Sequence, residues 1–530
     1  MAGHALTTVL TFVGFTLFVA IYSWYKIRKE NLSSRDGYFL GGRSLTGVVI
    51  AGSMLLTNIS TEHLIGMNGS AYKNGMIIIA WEVTSALALV IAAYYFIPVY
   101  LRKGLTTIPQ YLEERYDGFT RTMVAFFLLI SFVVTLLPIV LYTGAINLES
   151  IFDVSGNLGL TKTEGLWYTV LMVGVIGGAY AVFGGLKAVA VSDTVNGVGL
   201  LIGGLLIPFI ALYQIGDGHI FGGLKKVYEF APEKFNVVGT KDSVLPFSTL
   251  FTGLMINQLY FWGMNQSIVQ RALGAKSLKE AQKGLLFTGV LKILIPIVIV
   301  LPGLIAYYYF KDTYYDQQDN IYPILIKKLL PVALLGFFAA VVMGAVLSTF
   351  NSVLNSAATI FSVGIYKRLI NKEAPDSKLV RIGKLTSLVM AVVAICVAPF
   401  VANAPEGLYQ LMQQLNGIFF IPIASILLAG LFIPQISARG AKTGLLFGLG
   451  FYILTVFILK VNIHFVHIWG IEFVLNMAVM WGVSRMYPRE LADAGETVEN
   501  FVPMESWKYA KPMSIILIAV ILLIYIILGT

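Results

Sequence analysis

The chain has 530 residues, of which 57% are hydrophobic and only 12% charged, with a formal net charge of +9. That balance excludes a soluble enzyme, a disordered scaffold and a disulfide-bonded secreted domain, because the main solvent of such a chain is lipid. The basic residues are scattered singly through loops, with no stripe of interleaved aromatics, so the excess points to membrane orientation and not to a nucleic-acid partner.

Apolar runs long enough to cross a bilayer fall near residues 5–25, 45–70, 76–101, 122–147, 164–184, 189–214, 246–270, 284–310, 331–364, 380–402, 408–434, 441–459, 463–484 and 513–529. They predict an all-α integral membrane protein of about 14 transmembrane helices with short connections. The first run has no basic segment before it and is followed by Lys26, Arg28 and Lys29, which predicts a retained anchor and not a cleaved signal. On this layout 26 of the 37 Lys and Arg fall on one side and ten on the other. The positive-inside bias makes the first side cytoplasmic and sends both termini outward, as expected for a multi-pass protein of a bacterial inner membrane. The single cysteine, Cys396, lies in an apolar run and is expected to be a small core residue.

Polarity interrupts two runs at mid-membrane depth. The second span reads Thr-Asn-Ile-Ser-Thr-Glu-His at 57–63, and the seventh reads Ile-Asn-Gln-Leu-Tyr-Phe-Trp-Gly-Met-Asn-Gln at 256–266. Side chains that bond freed backbone suggest unwound helix, which lipid tolerates only along a protein cavity. The second break comes five spans after the first, so each opens one half of a five-plus-five repeat of opposite orientation, the layout of an inverted-repeat transporter.

Three further helices carry polar groups at depth. Glu82 and Lys292 are ionisable groups well inside spans, where a charge needs a partner or a cavity. They form either a structural ion pair or a paired donor and acceptor for a hydroxyl-rich neutral ligand. Gln413 and His63 each add a group that both donates and accepts. The inventory suits a polyol or sugar better than an amino acid or fatty acid. In the ninth span Ser348 and Thr349 are adjacent hydroxyls that, beside an unwound helix with free carbonyls, make an oxygen nest for sodium; taken singly they would bond back to the preceding turn. Asp193, at the cytoplasmic start of a span, reads equally as a group on an ion exit path and as a helix cap.

The residues also bring a family resemblance. Asn-Ile-Ser-Thr-Glu-His-Leu-Ile-Gly at 58–66, Trp-Gly-Met-Asn-Gln at 262–266, Gln-Arg-Ala-Leu-Gly-Ala-Lys-Ser at 270–277, Glu-Ala-Gln-Lys-Gly at 280–284 and Leu-Asn-Ser-Ala-Ala-Thr-Ile-Phe at 354–361 resemble the sodium/solute symporters, within them the sodium/galactose and sodium/glucose branch. The resemblance implies a core of two inverted five-helix repeats with discontinuous first helices. The division is an extra helix and linker at 1–44, a first repeat at 45–215, an extracellular loop at 216–245, a second repeat at 246–435 and three peripheral helices at 436–530. It implies sugar contacts at His63, Glu82, Ser85, Gln258, Lys292 and Gln413, with Asn58 beside them, and an outer lid of Met67, Trp81 and Tyr409. For sodium it implies the carbonyls of Leu56, Ile59 and Ala345 with the hydroxyls of Ser348 and Thr349.

Asp193 matches a position linked with ion exit or a second sodium, but Ala345 lacks the hydroxyl of two-sodium members, which favours one sodium per sugar. Two positions depart from the family pattern: Phe261 stands where the inner gate is a tyrosine, and Gln258 replaces an asparagine. The function this implies is sodium-coupled symport of a hexose, galactose or glucose, by alternating access. The alternatives are symport of inositol, sialic acid, an amino acid or a vitamin, or a membrane sensor. No arginine falls inside a span, which counts against a carboxylate substrate, and His464 with His467 lacks a third metal ligand.

Overall fold

The computed structural model describes residues 2–28, 30, 32–313, 315–403, 407–489 and 502–529; Lys29 lies outside them. The described chain is helical, and its β-type pairing is an isolated bridge between Leu45 and Ala275. That bridge joins the residues that lead into the first interrupted span to those that follow the second, so the start of one lies beside the end of the other. The two interrupted spans are thereby held together at one end of the bundle.

Eleven helices among the described residues are long and apolar enough to cross a bilayer, or twelve if Leu278–Leu294 and Pro296–Tyr309, bent by 41°, form one span. The second and seventh of the expected spans are missing from that set because neither is a continuous rod. The second is the Gly47–Asn58 helix, a break, and a helix that resumes as a π-turn at His63–Met67 and continues through Asn68–Asn74. The seventh is Gly253–Gly263 followed by Gln266–Leu273.

Local sequence accounts for both breaks. Thr57, Asn58, Ile59, Ser60 and Thr61 are all weak helix formers, by β-branching or by side chains that compete for backbone bonds. Ile59 is extended at φ −91°, ψ 99°, and the helix restarts when His63 and Leu64 donate to the Ser60 carbonyl at 3.1 and 3.2 Å. In the second break Asn265 caps the new helix by accepting from Ser267 N at 3.0 Å. This break sits at the end of the polar run predicted to unwind, so Asn257 and Gln258 remain helical. The difference follows from the cap: a capping side chain sets where a helix starts, and the first good one here is Asn265.

The middle of the bundle is occupied by Leu408–Phe432, 78% buried over its apolar window, whereas the first and last spans are 17% buried and lie at the periphery. Gly66 brings the first broken span against Leu408–Phe432: a Cβ there would lie 2.7 Å from the Tyr409 Cβ. Cys396 is exposed, which corrects its expected place in the core. In a lipid-facing helix the outward side is as apolar as the inward one, so an apolar neighbourhood does not distinguish them.

The long apolar stretch His63–Arg102 turns at Gly75, whose φ is +78° and whose Cβ, if present, would meet the Lys234 carbonyl oxygen at 2.5 Å. Both the left-handed backbone and the contact oppose any side chain. The expected result for Gly75→Ala is an apparent melting temperature in detergent lowered by several degrees, read from loss of monodisperse protein on heating, whereas Gly450→Ala, with open space around it, stays near the parent value.

Candidate solute and ion sites

Where the broken spans meet Leu408–Phe432 the protein has a cavity. Asn58, His63, Glu82, Ser85, Gln258, Lys292 and Gln413, all seven of the expected solute contacts, line it. Trp81, Phe261 and Tyr409 line it as well, and Met67 does not. Met67 is fully buried among apolar residues instead.

Hydrogen bonds and an ion pair join the walls of the cavity to one another. Lys292, on Leu278–Leu294, pairs with Glu82 and also donates to Asn58 Oδ1 at 2.6 Å. Its ammonium stands 5.4 Å over the Trp262 ring. One cation thus joins the end of the first broken helix, the short Ala80–Val83 helix and the bent span. Gln258 uses its whole amide: Nε2 donates to the Trp81 carbonyl at 2.6 Å and to Thr84 Oγ1 at 3.2 Å, while Oε1 accepts from Trp262 Nε1 at 3.2 Å and lies 3.0 Å from Ser85 Oγ. An amide has two donors and two acceptor sites, so Gln258 has nothing left to offer in this arrangement. Gln413 Nε2 donates to the Tyr409 hydroxyl at 3.0 Å, and the Tyr409 ring packs edge-on against His63 and Trp81, at 5.2 and 6.0 Å. These contacts pack Trp81, Tyr409 and His63 as an aromatic wall beside the polar groups.

The oxygen nest expected for sodium lies on the other side of the first break. Ala345, Ser348, Thr349 and Ser352 are spaced three and four residues apart and so share one face of Val332–Thr359. Thr349 Oγ1 stands 3.0 Å from the Thr57 carbonyl oxygen and 3.4 Å from that of Leu56, so that face meets the carbonyls which the break at Ile59 leaves without helical partners. Thr349 also lines the cavity; Leu56, Ile59, Ala345 and Ser348 do not. Ala345 itself sits in unbroken helix.

Asp193 is completely buried and accepts from Ser53 Oγ at 2.6 Å, with Ser348 beside it. It lies well inside the helix that restarts after the break at Gly185, so the capping alternative does not describe it. Its neighbour Arg271, also fully buried, donates to Ser53 Oγ at 3.2 Å and to the Ser267 carbonyl and Ser352. Sequence reasoning placed no arginine within a span and missed this residue. The signal was the continuation of the polar run through Gln266, Ser267, Gln270 and Arg271, which reads as a loop until the second break is located. Arg271 does not line the cavity. His467 bonds Thr252 Oγ1 at 2.9 Å and Ser248 Oγ at 3.2 Å, and His464 bonds the Val244 carbonyl at 3.0 Å, so both rings are held by residues 244–252.

Two discontinuous helices flanking a polar cavity inside a helical membrane bundle are the layout of a secondary transporter. The chain belongs to the Sodium:solute symporter family, whose model matches residues 38–448. It is 46% identical to an uncharacterized symporter, YidK, of Escherichia coli (strain K12), over 96% of this chain and 88% of that one. It is 33% identical to a sodium/glucose cotransporter of Vibrio parahaemolyticus, over 81% of each chain, and 31% identical to a sodium/myo-inositol cotransporter of Bos taurus, over 83% of this chain and 65% of that one. Among solved structures, a sodium-coupled sialic acid symporter in a substrate-bound outward-open state superposes with a TM-score of 0.77 at 18% identity, over 92% of this chain and 99% of that one. At that identity the likeness concerns the fold. The protein is therefore a multi-pass membrane symporter that couples sodium to a small solute.

Removing one partner of a buried ion pair strands the other charge, at a cost of about 3–5 kcal/mol. Lys292→Met is expected to lower thermal stability in detergent markedly, and Lys292→Met combined with Glu82→Leu to recover most of the loss. A double variant no more stable than the single would show that the two charges are not matched to each other.

Proposed function

We propose that the protein carries a neutral polyhydroxylated solute, a hexose such as galactose or glucose, into the cell with sodium. The observation that carries this reading is the convergence of Asn58, His63, Glu82, Ser85, Gln258, Lys292 and Gln413 on one cavity that has aromatic walls and no arginine. Hydroxyl groups both donate and accept, and this set offers both capacities around a self-neutralising ion pair. The name of the Vibrio relative supports the same substrate class. Myo-inositol is the second reading: it carries the same hydroxyl chemistry, and relatives named for it are 30–31% identical to this chain.

In this reading, residues 45–215 and 246–435 are the two repeats, with 1–44, 216–245 and 436–530 as linker, outer loop and peripheral helices. Both termini face outward from a bacterial inner membrane. Sodium enters between the first broken helix and Val332–Thr359, held by the Leu56, Ile59 and Ala345 carbonyls and the Ser348 and Thr349 hydroxyls. By fixing the break it sets Asn58 and His63 for the solute. Met67, Trp81 and Tyr409 close the outer side, Phe261 closes the inner side without a gate hydroxyl, and Asp193 lies on the path by which sodium leaves. Coupling comes from the difference in affinity between the outward and inward states. With Ala345 lacking a hydroxyl, one sodium moves per solute, and the membrane potential adds about 2.3 kcal/mol per 100 mV to its entry.

The test is uptake of labelled galactose, glucose and myo-inositol into proteoliposomes under an inward sodium gradient, repeated with potassium in place of sodium. Sodium-dependent accumulation is expected, with loss in Lys292→Ala and Gln413→Ala and loss of sodium dependence in Ser348→Ala with Thr349→Ala. Uptake unaffected by replacing sodium, or sodium dependence that survives the double alanine variant, would remove the proposed ion site.

A further inference from the structure

Glu62 has no part in the roles assigned above, yet it lines the cavity and is 2% exposed. Its Oε2 has no hydrogen-bond partner. Its Oε1 is 3.3 Å from His63 Nδ1, but that nitrogen makes no hydrogen bond of sound geometry either. The charged groups on the cavity wall are Glu62, Glu82 and Lys292, with His63 titratable beside them. Lys292 is committed to Glu82 and Asn58, so no lysine or arginine on the cavity wall answers Glu62, and its Oε2 is left without a donor.

A buried carboxylate with a free oxygen is unfavourable unless whatever enters the site donates to it. Two neighbouring hydroxyls on one ring suit this pair: one donates to Glu62 Oε2, and the other meets His63 Nδ1, which donates or accepts according to its tautomer. We propose that Glu62, together with His63, is a specificity-determining pair that binds a vicinal diol of the solute, and that the unmatched charge of Glu62 excludes solutes bearing a carboxylate. This rests on the polyol reading and narrows it, because an anionic solute would meet a negative wall with no free cation to answer it.

The experiment compares wild type with Glu62→Gln, in proteoliposomes, for sodium-driven uptake of whichever of galactose, glucose or myo-inositol the parent carries, with glucose and glucuronate as competitors. These two competitors share a ring and differ by the carboxylate. A hydrogen bond to a charged acceptor corresponds to a change of about tenfold or more. Glu62→Gln is expected to raise KM at least tenfold with Vmax within about twofold, and to erase most of the preference for glucose over glucuronate. Glu62→Asp retains the charge but withdraws it, so it is expected to raise KM while still excluding glucuronate; it tests the diol contact if the glutamine variant does not fold, and an unchanged KM in it would overturn that contact. If wild type carries a polyol and Glu62→Gln leaves both KM and exclusion unchanged, this inference fails and the polyol reading stands. If wild type carries none of the three, although sodium still stabilises it against heat, the polyol reading fails and takes this inference with it.

Discussion

A helix that stops in the middle of a hydrocarbon layer leaves its last carbonyls and the next helix's first amides without water to receive them, and everything in the centre of this protein answers that constraint. At the first break the answer comes from Val332–Thr359, whose Thr349 hydroxyl reaches the Leu56 and Thr57 carbonyls, and from Ser60, whose carbonyl takes the amides of His63 and Leu64. At the second it comes from the Asn265 side chain. The same polar atoms that make the breaks tolerable are the ones that can bind something. Structural need and binding capacity therefore arise at the same positions.

Charge is handled in the same economical way. Glu82 with Lys292, and Asp193 with Arg271, are compact opposite-sign groupings buried on different sides of the Gly47–Asn58 helix. Asn58, at its end, accepts from Lys292, and Ser53, further back, contacts both Asp193 and Arg271. Between them lies the carbonyl end that faces Thr349. One short helix is thus bonded to both groupings at once.

Much of this was legible in the sequence because lipid makes polarity conspicuous. Asn58, Glu82, Lys292 and Gln413 stood out against Leu, Ile and Val, and they meet at one cavity. The position of the second break was not legible, since Asn257, Gln258 and Asn265 are all polar and only cap geometry decides which one begins a helix. Arg271 was missed for the same reason: placed one residue past an assumed span end, it read as a loop charge, yet it is buried by contacts from Ser53 and Ser352, residues more than 80 positions away in other helices. Cys396 failed in the opposite direction, because an apolar neighbourhood signals membrane depth and not which side of a helix faces protein.

The saturated amide of Gln258 has a consequence for how any solute enters. With Trp81, Thr84, Ser85 and Trp262 already using all its hydrogen-bonding capacity, a solute cannot simply add bonds to Gln258; it must replace bonds that already hold the walls together. Replacement makes binding sensitive to mismatch, because a solute that displaces the internal bonds without reproducing them leaves buried polar atoms unpaired. A molecule with hydroxyls in the right places trades one satisfied network for another, whereas an ill-matched one breaks bonds that it does not replace.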